Sequence, residues 1–214
     1  MNQDNKNKIM LYLDVDDTIL KSSEAVIKIL NKKYNITPPK TIDNMKDWGY
    51  RSIYKYVSSD EVEKIYESDE FFNIVEFDQV FLDFYNKNKD KFDITIVTKG
   101  NKENIVKKEK LIKKVLGDDI QYIGMEFKID VYGNRIEDHR KYSVNMKHGI
   151  QIDDRTDAVR DTNANVKILL NHGRVRTWNQ NYYNINNLYI TKDWNEISQI
   201  LLFAYDNHYI FKKS

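Results

Sequence analysis

An apolar pentapeptide near the start of the chain runs directly into a cluster of acidic residues. Residues 9–13 (Ile-Met-Leu-Tyr-Leu) lack the alternation of an amphipathic strand, which predicts a β-strand buried on both faces of a parallel sheet. Asp14, Asp16 and Asp17 follow at once. Ligands of open α/β sheets bind just beyond the carboxyl ends of such strands. The segment therefore predicts an α/β fold with an acidic site at one edge of its sheet.

Further strands and helices alternate along the rest of the chain. Continuous apolar runs predict strands at 93–97, 120–125, 150–152 and 166–170. Helical spacing predicts helices at 102–116, 139–148, 157–162 and 193–205. This alternation is typical of a Rossmann-like core in which helices flank a parallel sheet.

A long stretch without strand-like alternation separates the first two predicted strands. Apolar residues recur at helical spacing from Ala25 to Tyr34, and the Pro38-Pro39 pair then ends that helix. Residues 41–88 predict short, aromatic-rich helices at 42–48, 53–57, 60–66 and 77–86. We therefore expect a small helical cap inserted after the first strand, at residues 20–88, on a catalytic core formed by residues 1–19 and 89–214.

The composition excludes several kinds of chemistry. The chain has no cysteine, which rules out disulfides, zinc–thiolate sites and thiol nucleophiles. Lys and Arg number 34 against 33 Asp and Glu, so no extended nucleic acid is expected as a partner. The sequence contains neither a signal-peptide core nor the roughly 18-residue apolar run that spans a bilayer. We expect a soluble cytoplasmic protein without a membrane partner, and a homodimer is compatible with the sequence.

The spacing of the first aspartates suits phosphoryl transfer. In an extended chain Asp14 and Asp16 point the same way, and neighbouring carboxylates need a shared cation or proton. Hard oxygen ligands at this density favour Mg²⁺. One carboxylate could attack phosphorus while the other handles the proton of the leaving group. An isolated pair of this kind is otherwise an ordinary acidic turn after a strand.

The segment Asp14-Val15-Asp16-Asp17-Thr18 resembles the first motif of the haloacid dehalogenase (HAD) superfamily, D-x-D-x-[T/V]. The resemblance implies that Asp14 is the nucleophile that forms an aspartyl-phosphate. It also implies that Asp16 is the general acid/base and gives a backbone carbonyl to Mg²⁺. Asp17 falls at the variable fourth position of this motif, where enzymes of the nucleotidase branch considered below usually have Gly, and a third acid there could alter the pocket.

The end of the next predicted strand resembles the second motif of the same superfamily. Thr98 follows strand 93–97, where its hydroxyl and the following amides of Lys99 and Gly100 could hold phosphate oxygens. A Thr at such a turn is otherwise a helix N-cap.

The third and fourth motifs have counterparts around strand 150–152. The third is a lysine that neutralises charge on the phosphate and the nucleophile, with Lys141 as the favoured candidate and Lys147 as the alternative. The fourth is the acidic pair Asp153-Asp154. The metal-binding residues implied by the resemblance are Asp14, Asp16, Asp153 and Asp154.

The C-terminal third is similar to the 5′(3′)-deoxyribonucleotidase branch of that superfamily. The similarity is carried by residues 152–157 and 166–171, the Trp178-Asn179 pair and the late Trp194. It implies a nucleoside monophosphate as substrate, with cap aromatics stacked on the base. The candidates are Trp48, Tyr50 and Phe72, whose alternative role is to form the core of the cap itself.

Other interpretations of the sequence stay open. Arg155, Arg174 and Arg176 could bind a second phosphate or simply belong to exposed loops. The same core could serve another small phosphate ester or a polynucleotide 3′ end. It could also belong to a non-catalytic binding protein that kept the fold.

Overall fold

The computed structural model describes residues 8–46, 49–129, 135–136, 140–173, 179 and 182–207. Its strands are, in chain order, β1 Ile9–Leu13, β2 Phe92–Gly100, β3 Gln121–Glu126, β4 Lys128–Ile129, β5 Arg135–Ile136, β6 Ile150–Asp153, β7 Val166–Leu170 and β8 Leu188–Thr191. Six of them form one parallel sheet in the order β3-β2-β1-β6-β7-β8, while β4 and β5 form a separate antiparallel pair.

The predicted apolar run forms a central strand. β1 pairs with β2 on one side and with β6 on the other, and Leu11 and Leu13 are fully buried. The chain leaves β1 towards β2 and β3, and later returns to the other side of β1 to form β6. The order of the strands therefore reverses between β1 and β6, and a ligand crevice is expected at their carboxyl ends.

The described part of the chain contains seven α-helices. They are α1 Ser22–Lys33, α2 Ser59–Glu67, α3 Asp69–Ile74, α4 Gln79–Asn88, α5 Lys102–Leu116, α6 Thr156–Arg160 and α7 Trp194–Asp206. Side chains of Ser58, Ser68, Asp78 and Asp193 accept backbone N–H bonds at helix starts, which satisfies donors that the helices leave open. Within the described ranges, no helix combines the length and apolar character needed to cross a bilayer.

Buried apolar side chains form two main clusters. The larger cluster joins the sheet to α4, α5 and α7, and contains Phe81, Phe84 and Trp194. The second cluster joins α1, α2 and α3 and contains Tyr50, Tyr54 and Phe71. Within residues 20–88, α4 thus packs with the sheet, whereas the helices before it pack with one another. The division into core and cap stays a prediction.

The structure confirms the Rossmann-like α/β class and corrects several local predictions. The sequence does not predict β8, the β4–β5 pair or α3, because each of these elements is only two to six residues long and lacks a strong periodic signal. Of the helix predicted at 42–48, the structure has a 3₁₀ turn at 42–44, while residues 47–48 lie outside the described residues. No helix forms at 53–57, and a 3₁₀ turn at 50–52 follows Gly49, whose φ is positive. The helix predicted at 139–148 is a 3₁₀ turn at 140–143.

Trp194 connects α7 to the loop that follows β1. Its side chain is 1% exposed, its ring lies 4.8 Å from that of Phe81, and its indole N–H donates to the Thr18 carbonyl at 2.6 Å. Trp194→Phe should lower the free energy of unfolding by about 1–3 kcal/mol, because the buried carbonyl of Thr18 loses its donor. Urea unfolding measures this change. Tyr189→Phe, at a side chain 47% exposed, serves as control and should stay within about 0.5 kcal/mol of wild type. Equal losses in the two variants would show that the indole bond is unimportant.

Candidate active site

Three carboxylates meet where β1 and β6 end. Asp14 follows β1, and its backbone N–H donates to the Ile152 carbonyl of β6 at 3.0 Å. Asp153 is the last residue of β6, and Asp154 comes next. All three are buried, and each offers an oxygen within 4.8 Å of the others. The strand order has therefore placed these acids in the expected crevice.

Lys141 reaches this carboxylate cluster from the 3₁₀ turn before β6. Its buried ammonium donates to Asp14 Oδ1 at 2.5 Å and to Asp153 Oδ2 at 2.6 Å. Lys147, the alternative for the third motif, is exposed. Of the two candidates, Lys141 is therefore the lysine that contacts the carboxylate cluster.

Negative charge exceeds positive charge in this buried cluster. Burial raises the pKa of Asp14 to about 7, Lys141 opposes that rise, and the nearby charges of Asp153 and Asp16 add to it. Burial by itself lowers the pKa of Lys141, but its attraction to Asp14 and Asp153 outweighs burial, and the pKa is raised. The side chain of the nearby Arg155 pairs with Asp157.

The donor atoms of the cluster fit Mg²⁺. Three buried carboxylates side by side are costly without compensating positive charge, and their hard oxygen atoms are the ligands that Mg²⁺ prefers. Asp14, Asp153 and Asp154 could hold the ion.

Asn179 fixes the loop that carries Asp154. Its side-chain amide donates to the Asp154 carbonyl at 2.7 Å, and its Oδ1 accepts from the backbone N–H and the hydroxyl of Thr156, both at 3.0 Å. Asp153 is held as well, since its Oδ1 accepts the Arg155 backbone N–H at 3.1 Å. The acidic pair at the end of β6 is thus held by hydrogen bonds from two later residues of the chain, Arg155 and Asn179.

Asp16 faces a different set of partners. Its Oδ1 accepts the Ser22 hydroxyl at 2.7 Å, and its Oδ2 accepts a hydrogen bond from Lys108. Among the described residues, its carboxylate is not one of the three that form the cluster. The predicted carbonyl contact of Asp16 with Mg²⁺ stays a prediction.

Lys108 is a residue that the sequence interpretation missed. It lies on α5, is fully buried, and its ammonium is 3.4 Å from the hydroxyl of Thr98, which is also buried. The periodicity of α5 contained a signal, because Lys108 occupies a core-facing position between Ile105 and Ile112, where an apolar residue is expected. Thr98 thus lies beside Lys108, and the same ammonium also contacts the Asp16 carboxylate.

The unusual Asp17 has a structural explanation. Its φ of 52° lies in the left-handed region that favours Gly, although Asp tolerates it better than most residues. Its carboxylate accepts hydrogen bonds from the Ser23 backbone N–H, at 2.8 Å, and from the Ser23 hydroxyl. Asp17 thus satisfies donors in the first turn of α1, which a Gly could not do.

Lys99 and Gly100, the predicted phosphate-binding residues after Thr98, lie in different environments. Lys99 is partly buried, with its ammonium 5.5 Å from the Phe127 ring centroid. Gly100 is buried at the end of β2, and a Cβ added there would come within 2.6 Å of Asn104 Oδ1, so the Asn104 side chain would have to shift to admit it.

The aromatic candidates belong to the helical cluster. Tyr50 is buried, with its hydroxyl 3.3 Å from the Ser23 hydroxyl and 3.0 Å from that of Tyr66. Phe72 packs edge-on against Phe71 at 5.1 Å. Stacking of either ring on a base stays a prediction. Trp48, together with Arg174, Arg176 and Trp178, lies outside the described residues.

Comparison with known proteins identifies the type of fold. No family model matches the chain, and no curated protein matches its sequence. Three solved structures resemble it over 90–92% of its length and 98–100% of theirs. A haloacid dehalogenase-like hydrolase from Streptococcus pneumoniae has a TM-score of 0.55 at 12% identity. A protein described as a HAD hydrolase from Bacillus subtilis, bound to magnesium, has 0.55 at 19%. A protein described as a phosphatase from Clostridium difficile has 0.57 at 13%. The chain therefore has the α/β fold of HAD hydrolases.

Magnesium should stabilise the folded chain through the three-carboxylate cluster. At about 100 times its Kd, Mg²⁺ should raise the free energy of unfolding by about 2.7 kcal/mol, because it binds only the folded state. Asp154→Asn should remove most of this gain, since it takes away one of the three carboxylates. Thermal unfolding with and without Mg²⁺ measures the effect. Asp60→Asn, at an exposed acid on α2, should respond to Mg²⁺ like wild type. A full Mg²⁺ response in Asp154→Asn would place the ion elsewhere.

Proposed function

We propose that this protein is a Mg²⁺-dependent phosphomonoester hydrolase that works through an aspartyl-phosphate on Asp14. The observation that carries the proposal is the pairing of Asp14 with the buried ammonium of Lys141 beside two further carboxylates. A carboxylate held in this way at a strand end, next to a site suited to Mg²⁺, is equipped to attack an anionic phosphorus centre. The HAD fold of the chain supports the same reaction class.

The proposed reaction has two steps. A carboxylate oxygen of Asp14 forms a bond to phosphorus, the ester bond breaks, and Asp16 gives a proton to the departing oxygen. Water then attacks the phosphorus of the aspartyl-phosphate, Asp16 takes up a proton from that water, and phosphate leaves with Asp14 regenerated. Lys141 stays beside Asp14 as a fixed positive charge, and the Thr98 hydroxyl donates to a phosphoryl oxygen. Mg²⁺, when bound by Asp14, Asp153 and Asp154 together with the Asp16 carbonyl, supplies the positive charge that lets two anions approach.

Within this class we infer a nucleoside monophosphate as substrate. Support comes from the resemblance of residues 152–157, Asn179 and Trp194 to the 5′(3′)-deoxyribonucleotidase branch. Asn179, one of these residues, makes buried hydrogen bonds to the backbone of Asp154 and Thr156. We also propose that residues 20–88 act as a cap over the site. The first turn of this segment already contacts the site, since Ser22 binds Asp16 and Ser23 binds Asp17.

Asp14→Asn should abolish phosphate release. The amide cannot act as the nucleophile, so kcat should fall at least about 10³-fold, whereas the fold should survive because Asn has nearly the same shape. The measurement is release of inorganic phosphate with Mg²⁺ from deoxynucleoside monophosphates, nucleoside monophosphates, sugar phosphates and 3′-phosphorylated oligonucleotides. The monophosphates should show the highest kcat/KM. Asp83→Asn on α4 serves as the matched control and should keep wild-type activity.

The panel separates the competing functions. Unchanged turnover in Asp14→Asn would rule out the aspartyl-phosphate. Mg²⁺ binding without cleavage of any ester would indicate a non-catalytic binding protein. A preference for sugar phosphates or for oligonucleotide ends would leave the phosphatase in place and overturn the nucleotide assignment.

A further inference from the structure

Lys108 is a buried cation with no part in the reaction as described above. Its side chain is 1% exposed, and its neighbours on the same face of α5, Ile105 and Ile112, are apolar and buried. Placing an ammonium in such a position is costly unless it is paired and hydrogen-bonded. An apolar residue would fill the position without this cost, so the lysine calls for a reason beyond packing.

The pairing between Lys108 and Asp16 is asymmetric in burial. Lys108 is 1% exposed, whereas the Asp16 side chain is 29% exposed and has access to water. Asp16 therefore does not need Lys108 for its own solvation, and Lys108 bears most of the cost of desolvation. What the carboxylate gains from the contact is a defined position.

Two donors fix the Asp16 carboxylate, one on each oxygen. Ser22, fully buried at the start of α1, donates to Oδ1 at 2.7 Å, and Lys108 donates to Oδ2. Donors on both oxygens set the plane of the carboxylate as well as its location. The same ammonium lies 3.4 Å from the hydroxyl of Thr98, the proposed phosphate-binding group. Lys108 thus stands between the proposed phosphate position and the proposed acid/base.

We propose that Lys108 is a positioning residue that holds Asp16 where it can exchange a proton with the leaving group. This inference rests on the proposed phosphatase function. It predicts that loss of Lys108 harms those substrates whose leaving group needs a proton and spares those whose leaving group departs without one. A lysine that served only the fold, or that bound phosphate directly, would not discriminate between the two kinds of ester.

The test compares p-nitrophenyl phosphate, whose leaving group needs little protonation, with phenyl phosphate, whose leaving group needs more. In Lys108→Met, kcat on phenyl phosphate should fall about tenfold further than kcat on p-nitrophenyl phosphate, with KM for both within about twofold of wild type. Lys108→Arg, which keeps a charged donor, should restore part of the lost ratio. Adding Lys108→Met to Asp16→Asn should cause little further loss, because the lysine acts through Asp16.

Controls keep the result interpretable. Lys107→Met removes the neighbouring lysine, whose side chain is 27% exposed and pairs with Asp69 and Glu103, and it should leave the ratio unchanged. Lys108→Gln, whose uncharged side chain is too short to reach the position of the ammonium, is measured alongside in case Lys108→Met fails to fold, and it should show the same discrimination. Equal losses on both esters, a rise in KM at constant kcat, or additive effects with Asp16→Asn would overturn the proposal. A wild-type protein that cleaves neither these two esters nor any ester of the panel under the proposed function would instead overturn the phosphatase function itself.

Discussion

Burying like charges side by side costs free energy, and this cost is the main physical constraint on the structure. Asp14, Asp153 and Asp154 come from adjacent strand ends of one parallel sheet, and their oxygens lie within 4.8 Å of one another. Lys141 offsets part of the repulsion, and its contacts span both strand ends. Such an arrangement is a poor way to stabilise a fold, because apolar side chains would fill the space at lower cost. It becomes reasonable when a divalent cation and an anionic substrate complete the balance of charge.

The loops that carry these carboxylates are braced from several directions. The loop after β1 receives the indole bond of Trp194 from α7 and is bound to the start of α1 through Ser22 and Ser23. The loop after β6 is held by Asn179. Rigid support of this kind matters for catalysis, because reacting groups must keep their geometry within a fraction of an ångström. The hydrogen bonds around the site are therefore part of the machinery that the proposed reaction requires.

The sequence predicted those features that depend on local pattern, and missed those that depend on packing between distant segments. Strand-end acids such as Asp14 and Asp153 follow apolar runs that can be recognised in isolation, and the order of the elements favours a parallel sheet. Lys108 escaped notice because a lysine in a lysine-rich helix normally faces water. Its spacing from Ile105 and Ile112 places it on the apolar face of α5, but only the structure shows that it contacts Asp16. Whether Tyr50 lies inside the helical cluster or faces a ligand depends likewise on tertiary contacts, which its neighbours in the sequence do not specify.

The most decisive experiment is a crystal structure of the protein with Mg²⁺ and beryllium fluoride, since trifluoroberyllate on a carboxylate mimics an aspartyl-phosphate. We expect beryllium bonded to a carboxylate oxygen of Asp14, a fluorine near the Lys141 ammonium, and Mg²⁺ bound by Asp14 and Asp154. Beryllium on a different side chain, or Mg²⁺ away from Asp14 and Asp154, would contradict this expectation.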